Sequence, residues 1–227
     1  MKTFRARVRS KVISPMSSVH TSFLRRKKEK KTVAPKVPAV LQPCLTKDEI
    51  NLLPIQAWNG PIILVKDEAA LDAALVQLWK EPVLGFDTET RPTFTKGKVC
   101  LPALIQLATA EAVYLIQLTH LPFSERVADL LSSPRVLKVG VAIHDDMKAL
   151  ARIHDFTPGG VVDLAALARA KGIQAQGLRT LSANLLGFRI SKSAQCSNWE
   201  NRELSPQQVK YAATDAWIGR ELYFHLI

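Results

Sequence analysis

The residues best suited to chemistry in this chain are carboxylates. Asp87 and Glu89 stand two apart at the end of the apolar run Val83-Leu84-Gly85-Phe86, so on an extended strand both side chains point to one face. Two carboxylates forced together at the edge of a core repel each other, and a divalent cation makes that arrangement favourable. Taken alone, the pair also reads as an ordinary strand end entering a turn at Arg91-Pro92, with its acids in water. A second apolar run, Val139-Gly140-Val141-Ala142-Ile143, leads into His144-Asp145-Asp146. An Asp just before a helix is usually its N-cap, which assigns that role to Asp145 and leaves Asp146, one step inside, as the candidate ligand, with Asp145 as the fallback. Near the C-terminus Tyr211 and Asp215 are spaced i, i+4, which puts phenol and carboxylate on one helix face, and the alanines around them allow close packing. Singly, Tyr211 reads as a core aromatic and Asp215 as a solvated helix acid; joined to the other acids they do not.

These residues need elements to hold them. Pro61 to Val65 has the composition of a strand, and Asp67 is placed to cap a helix whose Leu71, Ala74, Leu75, Leu78 and Trp79 recur at helical spacing. Val83 to Asp87 reads as a buried central strand, and Ala103 to Ala108 and Ala112 to Ile116 as two more around a short turn. Leu137 to Ile143 is a further buried strand running into a helix around Asp146 to Arg152, and Val161 to Leu164 begins another strand or helix. The last helix has the plainest start: Ser205 as N-cap, Pro206 in the first turn and Gln208 completing a capping box. Strands first and helices between and after describe an α/β domain, a mixed sheet flanked by helices.

Composition bounds the rest. The 227 residues are 47% hydrophobic and 22% charged, the balance of one ordinary globular domain with a tail. The best candidate for a membrane span, Ala103 to Leu118, is broken by Gln106, Glu111 and Gln117, so no membrane association is expected. Cys44, Cys100 and Cys196 are odd in number and dispersed, which argues against a disulfide framework or a zinc site. The net charge of +11 sits in one place. Met1 to Thr46 holds twelve Lys or Arg and the single acid Glu29, whereas Lys47 to Ile227 has equal numbers of acids and bases. Residues 1–46 therefore read as a basic, disordered tail and 47–227 as the folded domain. The run Arg25 to Lys31 could hold phosphates by counterion release or be a solvated charge run, and the acid-free first 28 residues leave a targeting role open. The absent disulfide pattern makes the cytoplasm the expected compartment, with an organelle or the nucleus reachable through the tail.

Three ordered segments carry a resemblance. Gly85-Phe86-Asp87-Thr88-Glu89, Val139 to Ile143 leading to Asp146, and Tyr211-Ala212-Ala213-Thr214-Asp215 look like the exonuclease motifs of the DEDDy superfamily. Over Ile62 to Leu226 the chain resembles ribonuclease D and, more nearly, the exonuclease domain of the Werner-syndrome helicase, including Cys196-Ser197-Asn198-Trp199. The resemblance implies a ribonuclease H-like fold and metal-dependent 3′→5′ hydrolysis of DNA or RNA, releasing nucleoside 5′-monophosphates. It implies that Asp87, Glu89, Asp146 and Asp215 hold two divalent ions, Mg²⁺ or Mn²⁺, and that Tyr211 positions the attacking water. An unperturbed Tyr has a pKa near 10 and is a poor base, which suits an orienting role. Lys210 precedes Tyr211 with no His nearby, unlike the His-using branch. Met147-Lys148 stands where the Werner-type domain has an aromatic residue, which offers Lys148 as a phosphate contact; Trp199 is a candidate for base stacking or for the core. The partner expected is nucleic acid, single-stranded or 3′-recessed, with no obligate protein partner. The alternative is a catalytically silent nucleic-acid-binding module relying on the basic tail. Against it stands the cost of clustering negative charge where phosphates must approach.

Overall fold

The structure, a computed structural model, describes residues 44–93 and 100–227. The basic tail lies outside the described residues except for its last three, Cys44 to Thr46, and Cys44 is packed against the core. Thr46 caps α1 (Lys47–Leu52) through a full capping box with Glu49. Then come β1 (Ile62–Val65), α2 (Glu68–Leu78), β2 (Val83–Thr90), β3 (Pro102–Ala108), β4 (Val113–Gln117), α3 (Glu125–Ser132) and β5 (Leu137–Gly140). They are followed by α4 (Ile143–Leu150), β6 (Val161–Asp163), α5 (Leu164–Ala170), α6 (Leu178–Leu186) and α7 (Pro206–Leu226). Asp67 caps α2, and Ser205 and Gln208 form the capping box of α7, as their sequence positions require.

The strands form a single sheet in the order β1-β4-β3-β2-β5-β6. The β2, β3 and β4 strands are antiparallel neighbours, whereas β1 with β4, β2 with β5 and β5 with β6 are parallel. This is the mixed, helix-flanked sheet expected. Strands β3 and β4 are buried at every position, so apart from Gln106 and Gln117 each is apolar on both faces rather than alternating. Both faces are covered. One core joins Leu84 and Phe86 of β2 to α2, α3 and α4; on the other face Leu104, Ala108 and Leu115 meet Ala212, Ala213 and Ala216 of α7.

Helix α7 lies almost in contact with the backbone of β2, and glycine makes that possible. A Cβ on Gly85 would fall 2.0 Å from the carbonyl oxygen of Ala216, so no other residue fits there without moving the helix. The β5 strand is shorter than its apolar sequence suggests. It ends at Gly140, where a Cβ would stand 2.4 Å from the Phe86 carbonyl, and the chain then turns sharply through Ala142 at φ 57°. That left-handed conformation costs a non-glycine residue about 1–2 kcal/mol, which the packing of Ile143 on one side and Val139 on the other must offset. The turn starts α4 earlier than expected, with Ala142 as its N-cap. Asp145 is therefore not the cap: it lies inside the first turn, its side chain 82% exposed and paired with Lys148.

Candidate active site

The alternation of β2 decides where its acids go. Gly85, Asp87 and Glu89 share the face on which α7 lies, and Leu84, Phe86 and Thr88 share the opposite face. Helix α7 brings Asp215, which is 5% exposed, and Tyr211 one turn earlier, down onto the end of β2. From the other side, the Thr88 hydroxyl donates to a carboxylate oxygen of Asp146 on α4 at 2.5 Å. Carboxylates from three elements thus meet around one strand end. Thr88, which stands between two acids and ties the third element to them, had no signal in the sequence beyond its place in the run.

The electrostatics of the group are those of crowded anions. Burial, then the fields of Asp215 and Asp146, hold the Asp87 carboxyl well above its ordinary range. Burial and the neighbouring Asp87, Asp215 and Asp146 push Glu89 up to about 10. Asp215 is raised by burial to about 7 even though the Tyr211 hydroxyl is directed at it. Asp146 is raised by burial to about 6, against the lowering effect of the Thr88 hydroxyl. Tyr211 is itself pushed up, first by burial and next by Asp215, so the phenol stays protonated at neutral pH.

A cation would relieve this crowding. One oxygen of Asp215, Oδ1, is buried with no hydrogen-bond partner among the described residues. An acceptor-only oxygen in that position, beside further carboxylates, belongs to a donor set that suits hard, oxygen-seeking cations. Among the described residues no three acid, His or Cys side chains are closed up around a point where an ion would sit, Asp146 being turned to Thr88 instead. In chemistry the residues present fit a divalent metal, since Asp87, Glu89, Asp146 and Asp215 offer only hard oxygen donors.

Asp87, Glu89, Tyr211 and Asp215 line a cavity of ≈ 510 Å³. The opposite lip comes from elements that the sequence did not point to: Lys47 and Asn51 of α1, Arg179 of α6, and Lys192. Two other candidates are placed elsewhere. Trp199 is 0% exposed, its ring 6.0 Å from that of Tyr211, so it packs in the core and supports Tyr211 rather than stacking on a base. The reason is its surroundings: it fills the gap between Ala103, Leu104 and the small side chains of α7. Lys148 is an exposed partner of Asp145 and does not line the cavity.

The sequence pattern of a 3'-5' exonuclease family matches residues 62–227. The human exonuclease mut-7 homolog is 31% identical over 206 residues, covering 78% of this chain and 23% of its own length. The mouse bifunctional 3'-5' exonuclease/ATP-dependent helicase WRN is 35% identical over 147 residues, with coverage of 62% and 10%. Ribonuclease D of Haemophilus influenzae is 34% identical over 164 residues, with coverage of 70% and 40%. The chain thus spans less than half the length of each of these relatives. Among solved structures, the EXO domain of Aedes aegypti Nibbler superposes with a TM-score of 0.69 at 26% identity, covering 75% of this chain and 90% of that one. Escherichia coli ribonuclease D shares the ribonuclease H-like fold, with a TM-score of 0.65.

Proposed function

The chain belongs to the 3'-5' exonuclease family, and from that premise we propose that it hydrolyses phosphodiester bonds one nucleotide at a time from the 3′ end of a DNA or RNA strand, releasing nucleoside 5′-monophosphates. The observation that carries the proposal is the convergence of Asp87, Glu89, Asp146 and Asp215 from β2, α4 and α7, with the proton affinity of all four raised by burial and that of Asp87 and Glu89 raised further by the neighbouring acids. The family generally depends on divalent metal ions. Asp87, Glu89, Asp146 and Asp215 are the residues that would hold Mg²⁺ or Mn²⁺, two ions in all, and when bound such ions make water acidic and neutralise the leaving oxygen.

The chain's own groups do the remaining work. Tyr211 keeps its proton, so it orients a water molecule by hydrogen bonding and does not act as a base. Trp199 and the close seat of α7 on Gly85 fix where that hydroxyl points. Thr88 holds Asp146 beside the end of β2 until a cation competes for it. Burial of Asp215 and the apolar floor around Phe86 keep bulk water from screening these charges.

The test is a gel time course on 5′-labelled single-stranded and 3′-recessed DNA and on matched RNA, with Mg²⁺, Mn²⁺ or EDTA, comparing wild type with Asp87→Ala. The expected result is a metal-dependent ladder that shortens from the 3′ end and is missing in the variant. Substrates bound but intact with either metal would sink the exonuclease reading and put a silent binding module in its place.

A further inference from the structure

The family match begins at residue 62, yet the chain before it is built into the domain. Helix α1 has six residues, too few to be stable alone, and it is held by tertiary contacts. The Leu45 amide donates to Asn184 of α6 at 2.8 Å, the Gln56 amide to the Arg189 carbonyl at 3.0 Å, and the Arg189 amide and side chain to the Pro54 and Leu53 carbonyls at 2.9 and 3.0 Å. Buried Ile50 faces inward beneath this frame. The consequence is that α1 and the first turn of α6 together form the lip facing the acids.

That lip is cationic. Lys47, Arg179 and Lys192 line the cavity, and among the described residues none of them has a carboxylate partner. Arg179 is held in place: one guanidinium nitrogen donates to Asn51 Oδ1 at 2.8 Å, while its buried Nε has no acceptor among the described residues. A guanidinium fixed by one hydrogen bond with a buried donor still free is unusual, because an unmet buried donor carries a desolvation cost. Its natural complement is an anion with oxygens to spare. The domain itself is formally neutral, so three unpaired cations in the cavity that Asp87, Glu89 and Asp215 also line are a local separation of charge and not a surplus.

We propose that Lys47, Arg179 and Lys192, with Asn51 orienting the arginine, form a clamp for the phosphodiester backbone of the substrate strand upstream of the bond being cut. The clamp rests on the exonuclease reading and extends it, because half of it comes from residues 44–56, which the family match does not cover. The acids are the residues that would hold cations against the reacting phosphate, and the lip would hold the next phosphates. A strand is thereby fixed at two points, and its 3′ end is set in line.

The test uses the full chain and its Arg179→Ala, Arg179→Lys and Asn51→Ala variants. Binding of a 5′-fluorescent linear single strand is followed in EDTA against salt, beside a circular single strand that offers no end. Arg179→Ala is expected to weaken binding of the linear strand by about tenfold and to flatten its log–log salt slope by about 0.7, the loss of one phosphate contact. Arg179→Lys should recover most of the slope, since the charge is kept. Binding to the circle should not change. In Mg²⁺ the loss should fall on KM more than on kcat. Equal slopes for wild type and Arg179→Ala, or equal losses on linear and circular strands, would overturn the clamp whether or not the protein cleaves. If no strand is shortened by wild type with either metal, the exonuclease reading fails on its own, and the EDTA binding data still decide the clamp.

Discussion

At the scale of single residues, crowded carboxylates and a protonated phenol dominate. Each raised acid binds its proton more tightly folded than unfolded. In the absence of metal, stability is therefore full at low pH and is lost as pH rises from the ordinary carboxylate range through about 6 for Asp146, about 7 for Asp215 and about 10 for Glu89. Thermal melts in EDTA should give a lower Tm at pH 8 than at pH 5, and Mg²⁺ or Mn²⁺ should raise Tm more at pH 8, where the acids are bare. A Tm in EDTA that climbs between those pH values would contradict the crowded-acid account. For Tyr211→Phe the expectation is different: metal-induced stabilisation persists, while single-turnover cleavage slows by up to about 100-fold, because only the positioning of water is lost. Retention of wild-type turnover would remove Tyr211 from the mechanism.

At the scale of elements, the site depends on how closely α7 sits on β2. The alanines at 212, 213 and 216 and Gly85 clear the space, and Trp199 closes the gap at the side. Gly85→Ala puts a methyl group where the Ala216 carbonyl now stands, so α7 must lift. We expect a loss of about 1–3 kcal/mol in denaturant unfolding, with activity at 20 °C reduced by more than stability alone explains, because Asp215 and Tyr211 move away from Asp87. Full activity in a folded Gly85→Ala protein would show that the close seat is a packing detail. Strand β5 illustrates a second device. Lys138 is buried in it and donates to the carbonyls of Leu130, Ser133 and Val136 near the end of α3, and burial pushes its pKa down to about 8. It ties the helix end to the sheet.

At the scale of the whole molecule, charge is divided twice. The sequence places its excess of positive charge before residue 47, and the structure separates acids from bases again across one cavity of the neutral domain. Removal of residues 1–43 keeps every residue of α1. It should reduce affinity at low salt and flatten the overall salt dependence without abolishing cleavage, as read from kcat/KM across a salt series. A truncated protein inactive on every substrate at low salt would give those residues a part in the reaction. Among the described residues no helix is long and apolar enough to cross a membrane.

What could be read in the sequence were the features that depend on neighbours along the chain. The Ser205 and Asp67 caps, the apolar runs of β2 to β5, the shared face of Asp87 and Glu89, and the one-turn spacing of Tyr211 and Asp215 all follow from strand and helix periods. The order of the three acidic segments then carried the family resemblance. The start of α4 was not legible, because Gly140 and Ala142 turn the chain under constraints set by Phe86 and by packing from both sides. Nor was the fate of Trp199, since a tryptophan in a loop reads the same whether it is buried or presented. The cationic lip was the most hidden: Lys47 is far in sequence from Arg179 and Lys192, all three are ordinary in type, and only the docking of α1 on α6, with the segment after α6 that carries Lys192, brings them to the cavity the acids line. Local periodicity fixes which residues share a face. Which faces meet is decided by long-range burial, and no single segment contains that information.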